Sequence, residues 1–93
     1  MRTIERTNQL KRDYKRELKG QHRATLEDDF RQVVGMLVND QPLPERYHDH
    51  ALIGDWKDFR DCHIKPDLVL IYQKPDDDRL VLARLGSHSE LGL

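Results

Sequence analysis

The sequence has one cysteine, Cys62, and a lone cysteine cannot close an internal bridge. That excludes the disulfide framework of small secreted domains. Long apolar runs are also missing. Arg2, Glu5 and Arg6 interrupt the stretch after Met1, so no leader is expected. Nothing approaches the ~20 apolar residues of a membrane-spanning helix. No membrane contact is expected, and the cytoplasm is the simplest compartment. Neither Cys-x-x-Cys nor His-Glu-x-x-His occurs, so the strong zinc signatures are absent. There are no repeats, linkers or low-complexity segments. A chain of 93 residues is expected to form one domain over 1–93, of modest stability for its surface.

The net charge of −1 hides an asymmetry. Residues 1–24 hold eight Lys/Arg and three Asp/Glu, or +5, and residues 25–93 carry −6. A basic first third could meet a phosphate backbone, and it could equally be a solvated helix face.

Periodicity divides the chain. Arg2 to Thr7 alternates weakly, as a short strand does. Thr7 or Asn8 can then cap a helix whose stripe is Leu10, Tyr14 and Leu18. Gly20 suits a left-handed closing residue. A second helix is expected from Thr25, which forms an imperfect capping box with Asp28. Its buried face is Leu26, Phe30, Val33, Val34 and Leu37. Pro42 and Pro44 prevent it from resuming. Residues 40–55 read as a loop.

The period then changes to two. Trp56, Arg60, Cys62 and Ile64 alternate with Lys57, Phe59, Asp61 and His63. Lys65-Pro66-Asp67 is a turn, Leu68–Tyr72 reads as a central strand, and Leu80–Leu85 is a last strand ending at Gly86. Short turns require antiparallel neighbours. The expected fold is α+β, in the order β-α-α-β-β-β, with two N-terminal helices on a four-stranded antiparallel sheet.

Of the five histidines, His22 lies between the helices and reads as a surface residue. His48, His50, His63 and His88 lie in the C-terminal half. Histidine is the natural acid or base near neutral pH. Adjacent strands could bring His63 and His88 to one end of the sheet. His48-x-His50 and Cys62-His63 also offer zinc-ligand types, at spacings that match no zinc motif. Asp61 and Asp67 flank the first turn of the meander, where Asp67 can be simply a turn residue. Arg60 and Arg84 on half-buried strands need either an anion or a carboxylate such as Asp58 or Asp61. Trp56 and Phe59 are expected in the core, with base stacking the less favoured use.

From residue 42 the order of motifs is informative. Pro42-Leu43-Pro44 is followed by Tyr47-His48-Asp49-His50-Ala51-Leu52 and Gly54-Asp55-Trp56-Lys57-Asp58-Phe59-Arg60-Asp61-Cys62-His63. Then come Pro66-Asp67-Leu68-Val69-Leu70-Ile71-Tyr72 and Arg84-Leu85-Gly86-Ser87-His88-Ser89-Glu90-Leu91. Taken together, these segments resemble the YafQ-type toxins of the RelE/ParE superfamily. The resemblance implies a RelE-like fold and a ribosome-dependent endoribonuclease that cuts mRNA in the A site of the 70S ribosome. It implies a cognate antitoxin as partner, and contact with operator DNA only through the antitoxin complex. It implies a catalytic set of His50, His63, Asp67 and His88, with no cofactor and no metal.

The chemistry suits these residue types. RNA carries its own nucleophile, the 2′-OH beside the scissile phosphate. A base removes its proton, an acid protonates the leaving 5′-oxygen, and a cation steadies the charged intermediate state. On this reading His88 is the acid, His50 or His63 the base, and Asp67 an orienting carboxylate. Arg84 holds the phosphate, with Arg60 and Lys57 as further substrate contacts. Two features depart from the family: Leu91-Gly92-Leu93 replaces its Leu-Phe ending, and the chain is not distinctly basic. The alternatives are a superfamily member that binds an antitoxin without cutting, and a ParE-like gyrase inhibitor.

Overall fold

A computed structural model describes residues 1–93. Strand β1 (Thr3–Arg6) leads into helix α1 (Asn8–Leu18) and helix α2 (Leu26–Val38). A 3₁₀ turn at Glu45–Tyr47 precedes the two-residue strand β2 (His50–Ala51). A second 3₁₀ turn, Gly54–Trp56, precedes β3 (Arg60–Lys65), β4 (Leu68–Gln73) and β5 (Arg79–Gly86), and the chain closes on α3 (His88–Leu91).

The α+β class and the helical hairpin agree with the sequence reading. The sheet differs. It has five strands, in the order β1-β5-β4-β3-β2, and it is mixed. β1 runs parallel to β5, pairing Thr3 with Arg79 and Arg6 with Leu82. Short turns enforce antiparallel pairing only inside the β3–β5 meander; the long connection from β1 leaves its direction free. β2 is too short to show a period, and it pairs His50 with Asp61 and Ala51 with Arg60.

The helix ends differ in detail too. Thr7 caps α1, its Oγ1 accepting from Leu10 N at 3.0 Å and donating to the Ala83 carbonyl at 2.7 Å. Thr25 precedes α2 but its side chain makes no capping bond, so the expected box with Asp28 does not form. Glu27, Asp28 and Asp29 instead place negative charge at the positive end of that helix. Gly20 is not left-handed; α1 closes on Lys19 in the right-handed region.

β4 is central and buried on both faces. Leu68, Leu70 and Tyr72 pack toward α1 and α2, and Val69 and Ile71 face the other way. Each such side chain contributes roughly 1.5–3 kcal/mol on burial. The helix face carries the larger core. The opposite face is covered only by Leu91 of α3, with Leu52, Trp56 and Phe59 packed at its margin. Trp56 and Phe59 precede β3 rather than lie in it, stacked edge to face at 5.1 Å.

Beyond Arg6 the outer edge of β5 loses its strand neighbour, and α1 replaces it. Leu85 N donates to Asp13 Oδ2 at 3.0 Å, and Arg16 Nη2 donates to the Leu85 carbonyl at 2.8 Å. Side chains thereby satisfy an edge that would otherwise be exposed for pairing.

A candidate histidine-lined active site

Strand parity builds the site. Cys62 and Ile64 point into the helix-side core, so Asp61 and His63 point to the thinly covered face. Asp61 pairs with Ile71 and His63 with Val69, both of the second cluster. The His63 row continues across β4 to Gly86, and two residues later the chain reaches His88.

A capping box fixes that last step. Ser87 Oγ accepts from Glu90 N at 3.2 Å, and Glu90 Oε1 accepts from Ser87 N at 2.9 Å. Such caps contribute about 1 kcal/mol. Leu91 anchors the short helix on the sheet, and the His88 ring comes to rest 4.9 Å from that of His63. The His48 ring lies on the other side of His63, at 5.2 Å. Three imidazoles thus form a row.

His50 stands beside the row. Its Nδ1 is 2.8 Å from the His48 carbonyl and 3.1 Å from Asp61 Oδ1. A carbonyl only accepts, so Nδ1 carries the proton and neutral His50 keeps its lone pair on Nε2. That N–H is aligned on the carbonyl, and Asp61 Oδ1 is left buried without a hydrogen-bond partner of its own. Burial raises the Asp61 carboxyl above its usual range, while His50, His63 and His88 pull it back. His63 shifts the opposite way. Burial and the neighbouring His88 make it a weaker proton acceptor, partly offset by Asp61.

The expected residues are thus placed unequally. His50, His63 and His88 share one face of the sheet. Asp67 is exposed on the β3–β4 turn, and the carboxylate that meets the histidines is Asp61. Arg84 is half-buried and gives its Nε to Asp13 Oδ2 at 2.7 Å. Arg60 points to the helix face, where its Nε meets Asp49 Oδ1 at 3.2 Å beside the Tyr72 hydroxyl. The partners of these two arginines are therefore Asp13 and Asp49, not Asp58 or Asp61. Lys57 is exposed just before β3. The sequence reading gave Asp61 and His48 no place in the site. The parity of Asp61 with His63 was a signal for the first; for His48 the signal was its place among the four C-terminal histidines. No group of three or more His, Cys, Asp or Glu side chains is disposed to hold a metal ion.

Known proteins resemble this chain along almost its whole length. Residues 2–92 match the family model for YafQ, a bacterial toxin of type II toxin–antitoxin systems. A Haemophilus influenzae relative carrying the YafQ toxin name is 52% identical over 64 residues, which span 66% of this chain and 63% of that protein. The mRNA interferase toxin YafQ of Escherichia coli K12 is 38% identical over 91 residues, covering 97% of this chain and 95% of the relative. The toxin in the crystal structure of the E. coli DinJ–YafQ toxin–antitoxin complex superposes with a TM-score of 0.83 at 37% identity, over 97% of this chain and 96% of the other. The chain belongs to the YafQ family of bacterial type II toxins.

Proposed function

We propose that this chain is an endoribonuclease that cuts mRNA on the ribosome by metal-independent attack of the 2′-OH, and that a cognate antitoxin restrains it. The observation that carries the reading is the pair of neighbouring imidazoles on an open sheet face, His63 and His88, with His50 held beside them. The E. coli relative is named an mRNA interferase toxin, which supports mRNA as the target.

His63 is the base. Its weakened hold on a proton keeps it neutral at physiological pH, the form that can accept one from the 2′-OH. His88, one ring away, is the acid that protonates the departing 5′-oxygen. His50 presents Nε2 to the substrate, its other nitrogen bonded to the His48 carbonyl with Asp61 close beside it. Asp67, on the exposed turn beyond His63, is free to meet the RNA or a histidine in the bound state. Arg84 and Lys57 supply positive charge to the phosphate. Arg60 lies across the sheet from the histidines and acts through Asp49, which it braces. Each positioned acid or base is worth about 10²–10⁴ in rate.

The antitoxin has a candidate seat. Between α1, α2 and β1 lies an apolar groove lined by Ile4, Tyr14, Leu18 and Phe30, with Arg6, Lys11 and Lys15 at its rim. That chemistry suits an acidic amphipathic segment. No helix is long and apolar enough to cross a membrane, and the proposed place of action is the cytoplasm, where ribosomes are.

Primer extension on a translated reporter mRNA, with and without ribosomes, tests the reading. Cuts within codons that need ribosomes and vanish in His88→Ala are expected. A folded wild type that makes no cuts would overturn it in favour of a member that only binds its antitoxin.

A further inference from the structure

His48 is strained, clamped and placed against the site. Its backbone is left-handed, at φ 50° and ψ 43°, a region that few residues other than glycine adopt. Such strain persists only where neighbours enforce it. Here both do. Tyr47 is buried in the helix-side core, and the Asp49 carboxylate is bound by the Tyr72 hydroxyl at 2.5 Å and by Arg60 at 3.2 Å. With 47 and 49 pinned on one side of the sheet, the left-handed turn sends the ring of 48 to the other. There it meets His63, and its carbonyl accepts a hydrogen bond from His50 Nδ1.

We propose that His48 is a positioning residue of the cleavage site: its carbonyl orients His50, and its ring, third in the row, governs how readily His63 takes a proton. Two imidazolium rings about 5 Å apart repel, so a charge on His48 disfavours a charge on His63. The groups facing His63 are His88 of α3, Asp61 of its own strand, His50 of β2 and His48. Only Asp61 among them favours the protonated ring. His48 is the exposed end of the row, open to solvent and to substrate phosphate, and so it couples the charge at the mouth of the site to the base inside. The kinetic part of this inference rests on the nuclease reading; the titration part does not.

The test is His48→Asn in the full chain. Asparagine tolerates the left-handed backbone and keeps the carbonyl, so it removes only the ring. In an NMR titration the His63 ring of the variant should take its proton at higher pH than in wild type, and in His48→Lys, with its fixed charge, at lower pH. In cleavage assays the acid limb of kcat/KM should move with it, toward higher pH in the asparagine variant. That variant should then fall about fourfold below wild type in acid, relative to its own plateau. An unmoved His63 titration overturns the proposal. So does an unmoved acid limb in a variant that still cuts. If His48→Asn does not fold, His48→Gly preserves the turn and repeats the titration. Absence of cleavage by the wild type would remove the nuclease reading and leave the titration to decide the role of His48.

Discussion

Asp61 Oδ1 and His50 Nδ1 sit 3.1 Å apart, and the carboxylate is only 2% exposed. This is a buried charge held beside an exposed ring. Register produces it, since His50 of β2 lies directly across from Asp61 of β3. A carboxylate kept out of water with one oxygen unbonded is costly to the fold, and such a cost is tolerated where the group has work at a site.

Asp61→Asn should therefore separate activity from stability. Burial lifts the native carboxyl above its unfolded value, so the fold binds a proton that the unfolded chain has already released. Stability then falls as pH rises from about 3.9 through the native value, and at neutral pH the ionised group is a net burden. The amide escapes that burden. Its melting temperature at neutral pH should equal or exceed that of wild type, while cleavage falls about 10-fold or more because His50 loses its negative neighbour. A variant as active as wild type would remove Asp61 from the site.

His63 yields a second pH effect of opposite sign. An unfolded histidine takes its proton near pH 6.5, and burial with His88 holds the folded one lower. In the window between, the unfolded chain binds more protons, so stability rises with pH and is lost as pH falls through about 6.5. The loss is complete below the folded value. Melts at about pH 7.5 and about pH 5.5 should show a smaller drop for His63→Gln than for wild type. Equal drops would mean that His63 is not perturbed in the fold.

Local signals carried most of the fold into the sequence, and long-range pairings did not. The alternation around Cys62, the apolar run of β4 and the stripes of both helices each follow from a repeat of two or of 3.6 residues. The parallel pairing of β1 with β5 follows from no such repeat; it joins residues more than seventy positions apart. Nor does any repeat mark Asp13 with Arg84, 71 positions apart, or Asp49 with Arg60 across the loop, so the carboxylates expected beside these arginines, Asp58 or Asp61, were not the ones the fold supplied. His63 and His88 could be expected at one end of the sheet because His63 lies on one strand of the meander and His88 comes just after the last. The left-handed turn that delivers His48 could not, because nothing in Tyr47-His48-Asp49 marks it.

Asp13 and Arg84 set a test of what the arginine is for. Asp13 is 4% exposed and accepts from Arg84, Arg16 and the Leu85 N–H. Asp13→Ala strips three donors of their acceptor and should cost about 3–5 kcal/mol, a large part of the stability of a small domain. Arg84→Leu leaves Asp13 its other two donors, so it should destabilise less. If Arg84 also holds phosphate, that variant loses kcat/KM beyond what its melting temperature explains. A loss of stability with unchanged cleavage at low temperature would confine Arg84 to a structural role.

The basic face of α1 borders the groove proposed to seat the antitoxin. Arg16 is not a free surface charge, since it is bound to the Leu85 carbonyl, Asp13, Glu17 and Glu90. Reversing it would damage the cover of the β5 edge and confuse any binding result. Lys11 and Lys15 are exposed at the rim of the apolar groove and form no ion pair. Lys11→Glu with Lys15→Glu should therefore leave the stability within about 0.5 kcal/mol of wild type. Association with the antitoxin should slow, because rim charges steer encounter more than they hold the complex. Raising the salt should slow the wild type toward the rate of the variant as the steering is screened. Stopped-flow association rates across a salt series decide it: equal rates for the two proteins at low salt would place the antitoxin elsewhere on the toxin.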